Sequence, residues 1–213
     1  MPTKAMATRA YNSALRLRKQ EELKARIAAA AAALHAEKGA NATSYADIAA
    51  AARVSLPTVY AHFPTQRALL AGCTQHVAAK APDLPVEAML AAADVGSAAQ
   101  LLIHAIEQRH LHFEPWLAWR EDRVIPFLAE LSGEVRNELA GLIARILRRH
   151  LGAGDHREVA AAWESVLSFD FWYRLVRTHR LSRPAARRLM CQCLQALAEQ
   201  STLPNDRSSR RKS

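Results

Sequence analysis

The sequence predicts an all-α protein, and three observations carry that prediction. Alanine is abundant while glycine is held to 7 of 213 residues, a balance that favours helices over turns. Apolar residues recur at helical spacing, as in Leu23, Ile27, Ala30, Ala31 and Leu34, which is the stripe of an amphipathic helix. β-branched residues never alternate over a useful length, so no half-buried strand is signalled. A chain of this length can bury a real core as one or two domains without a staple.

The first 20 residues hold Lys4, Arg9, Arg16, Arg18 and Lys19, with no apolar face until near their end. They are expected to form a basic flexible arm, either solvated or touching phosphates and the minor groove. The first helix is placed at about Glu21–Lys38, its Ala28–Ala33 run explained by helix propensity and close packing, and Gly39 ends it.

The stretch from Thr43 to Leu70 organises the rest. Ser44 can cap a second helix, about Tyr45–Ala51, and Asp47 three residues on completes a capping-box pair. Ile48, Ala49 and Ala52 give it a face small enough for another helix to cross closely. Ser55 caps a third helix, about Leu56–Ala61, whose first turn accepts Pro57 because a missing N–H costs little there. Val59 and Phe63 stand at i and i+4 and point inward, leaving Thr58, Tyr60 and His62 to point elsewhere. Two such helices make a helix-turn-helix, the second entering a major groove.

A fourth helix is expected from Pro64 to about Lys80, with Leu69, Leu70, Cys73 and Val77 inward and Pro82 and Pro85 closing it and marking a domain boundary. Beyond it, helices are predicted at about Val86–Ala93, Ser97–Phe113, Trp116–Leu131, Gly133–Leu151, His156–Arg180 and Pro184–Ser201, with Pro126 kinking or splitting its segment. The organisation expected is an arm at 1–20, a helix-turn-helix domain at 21–66, a helical domain at 67–203 and a basic disordered tail at 204–213.

Charge is partitioned along the chain. Of the net +9, residues 1–70 carry +6 from 10 Lys/Arg against 4 Asp/Glu, and the last ten carry +3 from 4 against 1. Residues 71–203 hold 15 of each and sum to zero. The basic excess thus coincides with the helix-turn-helix, as a DNA-facing surface requires, and predicts salt-sensitive binding.

At these residues the sequence resembles the TetR family of bacterial transcriptional regulators. The resemblance rests on Ser44 with Asp47-Ile48-Ala49, Ala52-Arg53-Val54-Ser55, Tyr60-Ala61-His62-Phe63 and Ala68-Leu69-Leu70. It spans about the first third of the chain. Arg53 stands where the family usually has glycine, Pro57 where glycine is frequent and Gln66 where lysine is frequent. Arg53 either strains a turn that prefers positive φ or the turn avoids that region, and the sequence leaves both open. The resemblance implies a homodimer joined through the last two helices, a ligand-binding and dimerisation domain, and a fourth helix that transmits ligand binding.

The DNA-binding residues expected are Ser44, Arg53, Ser55, Leu56, Pro57, Thr58, Tyr60, His62 and Gln66. Leu56, Pro57 and Thr58 would face base edges, where Leu56 and the Thr58 methyl can read a thymine methyl and the Thr58 hydroxyl can serve base or phosphate. Tyr60 and His62 suit phosphates, with packing of the small domain as the alternative. Trp163, Val166 and Leu167, with Leu189, Leu194 and Leu197, offer the apolar dimer surface.

Other chemistries are poorly served. The sequence has no nucleophile elbow, phosphate loop or HExxH helix, so neither an enzyme nor a cofactor is expected. His104, His110 and His112 lack the i,i+3 or i,i+4 spacing that would converge on a metal. Cys191 and Cys193 lie about 200° apart on a helix, and they read as packing residues. The aromatic residues from Trp116 to Tyr173 are expected in the C-terminal domain, as core, interface or pocket lining, with Trp119, His112 or Tyr173 as polar handles for an effector that the sequence does not identify. The longest stretch free of Asp, Glu, Lys and Arg is 13 residues, Val54–Gln66, too short to span a membrane. Three sparse cysteines and no apolar leader suit the cytoplasm.

The expectation is a DNA-binding regulator, most simply a ligand-responsive repressor on a palindromic operator. Two alternatives stay open: a helical small-molecule binding protein or enzyme retaining this head, and a non-specific DNA-coating protein.

Overall fold

The computed structural model describes residues 4–202, and every regular element among them is helical. In order they are α1 (Lys4–Lys38), α2 (Tyr45–Ala52), α3 (Leu56–His62), α4 (Gln66–Ala78), α5 (Val86–Leu90) and α6 (Val95–Leu117). A short 3-10 turn at Glu121–Arg123 precedes α7 (Pro126–Leu151), α8 (Arg157–Leu167) and α9 (Phe169–Tyr173). A π turn at Arg174–Thr178 then leads to α10 (Arg183–Thr202). No described helix is long and apolar enough to cross a membrane.

The chain divides into two units. The first is residues 1–81 with 115–128, and the second is residues 82–114 with 129–213. In the first, α1 packs on α2 and α4, and α2 packs on α3. Its core is Ile27, Ala31, Ile48, Ala52, Val59, Phe63, Leu69, Leu70 and Cys73. Alanine on α1 and α2 lets backbones approach closely, so the small faces noted in the sequence are what this packing consumes. Cys73 is buried against His35, with Sγ and Nδ1 3.5 Å apart. Burial pushes the Cys73 thiol up to about 12, which leaves it an inert core thiol.

The second unit is built around Leu102 and Ile103 of α6, Ile143, Ile146 and Leu147 of α7, Trp163 and Leu167 of α8, Trp172 of α9, and Met190 and Leu194 of α10. Trp163 donates its indole N–H to the Leu194 carbonyl at 3.0 Å, pinning α8 to α10. Glu107 of α6 is 1% exposed and is held by Arg187 Nη1 at 2.9 Å and Arg183 Nε at 3.4 Å.

Several expectations fall to these findings. The helix expected to begin at Glu21 begins at Lys4, because alanines and straight-chain residues precede it with no breaker after Pro2. The basic tail at 204–213 lies outside the described residues. The unit boundary falls after Ala81, at the prolines that close α4 and not after Gln66, since Leu69, Leu70, Cys73 and Val77 commit α4 to the first unit. No helix spans Trp116–Leu131. That segment is split rather than kinked, and Pro126 opens α7, where its fixed φ and missing N–H suit a first helical residue. The predicted start at Gly133 is overrun by α7, a 26-residue helix that absorbs the cost of two interior glycines, Gly133 and Gly141. The long His156–Arg180 helix is interrupted at Ser168, whose extended ψ of 150° is incompatible with a helix, and its side chain caps α9 instead.

Trp116 and Trp119 also belong to the first unit, not to the C-terminal domain. Their indole N–H groups donate to the carbonyls of Ala32 (2.8 Å) and Ala36 (3.2 Å), near the end of α1. Glu121 then accepts from the backbone N–H groups of Ala40 (2.7 Å) and Asn41 (2.8 Å). A segment some 80 residues distant thus completes the polar pairing that a helix end and its exit turn leave open. Trp163, Leu167 and Leu194, expected at a dimer surface, are fully buried within the single chain.

Candidate nucleic-acid interface

The turn between α1 and α2 sets the site's first edge. Gly39 takes φ +81°, and a Cβ there would stand 2.9 Å from Glu121 Oε1. Ser44 and Asp47 form the reciprocal capping box: Ser44 Oγ accepts from Asp47 N at 3.1 Å, and Asp47 Oδ2 accepts from Ser44 N at 3.0 Å. Lys38 Nζ reaches the same carboxylate at 2.8 Å, and its hydrogen bond, with those of Ser44, holds the Asp47 carboxyl down to about 2.

The α2–α3 turn resolves the question Arg53 poses. Arg53 takes φ 53° and ψ 51°, the left-handed region. Its N–H donates to Ala50 O at 3.1 Å and that of Val54 to Ala49 O at 3.0 Å, a Schellman stop normally built on glycine. The turn therefore keeps its shape and the arginine bears the strain. Arg53→Gly should raise the stability of the protein by about 0.5–1 kcal/mol, measured as an upward shift in thermal midpoint. An unchanged or lower midpoint would show that the arginine is held there without strain.

α3 presents the expected residues in a defined way. Ser55 caps it, accepting from Thr58 N at 3.3 Å, and its hydroxyl also lies 2.7 Å from that of Thr58. The Thr58 hydroxyl is thus engaged in the cap, and its methyl is the group left for a partner. Leu56 is 39% exposed and Pro57 is exposed beside it, while Val59 is fully buried and anchors the helix. His62 ends α3 half-buried. Tyr60 is 49% exposed, and its ring lies flat on Tyr45 with centroids 4.5 Å apart and planes at 13°.

Gln66 opens α4 immediately after its cap Thr65, whose Oγ1 accepts from Ala68 N at 3.1 Å. Ser44, Tyr45 and Gln66 line a cleft of about 240 Å³, so the starts of α2 and α4 share one concavity. Ser55, Leu56, Pro57 and Thr58 cluster at the start of α3, and Tyr45 with Tyr60 joins α2 to α3. Tyr45 escaped sequence reasoning because nothing in helical periodicity places it beside a residue on another helix. In the second unit the three histidines do not assemble: His110 is spent on the Leu167 carbonyl, 2.9 Å from Nε2. Burial pushes that imidazole down to about 4. No group of three or more His, Cys, Asp or Glu among the described residues is placed to hold a metal.

A three-helix head with a capped, outward-facing α3, on a chain with a helical second unit, is the architecture of a helix-turn-helix transcriptional regulator. Residues 27–73 match the family model of the bacterial regulatory proteins, tetR family. The match covers the helix-turn-helix head, α2 and α3 with the adjoining parts of α1 and α4. Among solved structures, a transcriptional regulator from Rhodococcus sp. Rha1 shares the fold at TM-score 0.63 and 18% identity, over 85% of this chain and 98% of the other. The multidrug binding protein EbrR, complexed with imidazole, shares it at TM-score 0.51 and 24% identity, over 79% and 87%. No curated protein matches this sequence.

Proposed function

We propose that the protein is a ligand-responsive transcriptional repressor, without enzymatic activity, that binds a palindromic operator as a homodimer. The observation that carries the reading is the outward first turn of α3. Leu56, Pro57 and the Thr58 methyl stand there, flanked by exposed Tyr60 and Arg53 on the more basic third of the chain. Phosphates would be met by Ser44, Tyr60, His62 and Gln66, while Leu56 and Thr58 meet base edges. The second unit would house an apolar or amphipathic effector and supply the dimer contact through α8 and α10. Val166, Leu189 and Leu197 remain at least partly exposed there, and two-fold symmetry makes a palindrome the expected site. The fold shared with a multidrug binding protein supports a small-molecule effector.

Selection from random duplex DNA tests the reading. The expected result is an enriched palindrome whose affinity exceeds that for scrambled DNA by at least about 10³-fold and falls steeply with salt. Tyr60→Phe should weaken binding about evenly across sequences, whereas Leu56→Ala should change preference at individual base pairs. Salt-sensitive binding with no enriched sequence would leave a non-specific coating protein as the reading.

A further inference from the structure

We propose that Tyr45 is a positioning residue for DNA binding: its ring is the platform that holds Tyr60 on the DNA-facing side of α3. This rests on the reading of that face as the DNA interface.

Three observations support the role. Tyr45 is the first residue of α2 and Tyr60 lies in the middle of α3, so their stack ties the two helices together independently of the backbone turn. The rings lie nearly parallel at 4.5 Å, a contact available to a planar aromatic face and to no aliphatic side chain of similar size. Tyr60 is about half-exposed at 49%, and an exposed tyrosine with no such support would spend rotamer freedom on every binding event. Stacking fixes the ring before DNA arrives, which is preorganisation.

The Tyr45 hydroxyl separates positioning from direct contact. Its oxygen is buried and has no hydrogen-bond partner in the protein, so no hydrogen bond from that group holds the stack. Removing a buried, unpaired hydroxyl is neutral or favourable to folding. Tyr45→Phe keeps the platform and discards only that group, whereas Tyr45→Leu discards the platform.

The test is a double-mutant cycle on the selected operator, with the full chain and with folding checked by circular dichroism. Tyr45→Leu should weaken operator binding about 3- to 10-fold, and Tyr45→Phe should bind as the unaltered protein does, with an equal or higher thermal midpoint. In a Tyr60→Leu background, Tyr45→Leu should cost less than about twofold, because the residue it positions is gone. Tyr45→Ala, a better helix former, takes the place of leucine should that variant fail to fold. A loss of equal size in both backgrounds would overturn the positioning role, since Tyr45 would then act independently of Tyr60. A loss for Tyr45→Phe matching that for Tyr45→Leu would overturn it too, by showing that the hydroxyl is used. Failure of the unaltered protein to bind any duplex would instead overturn the interface, and this role with it.

Discussion

Replacing Arg183 and Arg187 together by alanine should destabilise the protein by about 3–5 kcal/mol, and adding Glu107→Leu to that pair should return most of the loss. Glu107 is 1% exposed, while the Arg183 and Arg187 side chains are 45% and 32% exposed. The two sides of this ion pair therefore fail differently. Removing the arginines strands a carboxylate in the core with no water and no counter-charge, which is among the costliest defects a core can carry. Removing only the carboxylate leaves two arginines that can turn to water, so Glu107→Leu alone should cost no more than about 1–2 kcal/mol. Denaturant unfolding of the three variants beside the unaltered protein would measure this directly. Equal costs from either side would mean the arginines are as enclosed as the carboxylate, and the asymmetry argued from their exposure would be wrong.

The same cluster shows why parts of the fold were legible in the sequence and others were not. Local devices could be read in advance because each uses residues a few positions apart. Examples are the Ser44–Asp47 box, the Ser55 cap, the Gly39 stop and the inward pair Val59 and Phe63. Long-range pairings could not. Nothing near Glu121 announces that its carboxylate accepts from Ala40 and Asn41, and nothing near Glu107 announces Arg183 and Arg187. Charge summing also hid a feature. Residues 71–203 balance at 15 against 15, yet the stretch from Arg174 to Arg188 carries six arginines and no acid. Proline is ambiguous in sequence: Pro126 fits a kink as well as a break, and the structure has the break, with Pro126 starting α7. The candidate site was legible wherever it follows the helix-turn-helix pattern, and Tyr45 was missed because its partner is on another helix.

The second large effect concerns the joint between α3 and α4. Phe63 closes α3, is 2% exposed, and its ring passes over Gly72 of α4. A Cβ at Gly72 would lie 2.5 Å from Phe63 Cε1 and 3.0 Å from Cζ, so the glycine is there to let the ring through. Phe63→Ala should cost about 3–5 kcal/mol, the transfer energy of a buried ring plus the cavity it leaves. Gly72→Ala should cost about 1–3 kcal/mol by overpacking, despite alanine's better helix propensity. If both effects come from one contact, they must couple. Phe63→Leu removes the ring atoms nearest the new methyl, so the Phe63→Leu/Gly72→Ala pair should be less destabilised than the sum of its singles. Thermal or denaturant melts of the four proteins settle the point, and simple additivity would mean that Gly72 is small for some other reason. The coupling also bears on DNA binding, because the ring that fixes the end of α3 fixes the direction in which Leu56, Thr58 and Tyr60 face. Gly72→Ala should therefore weaken operator binding at temperatures where the protein is still fully folded, although residue 72 lies on α4 and outside the set expected to touch DNA.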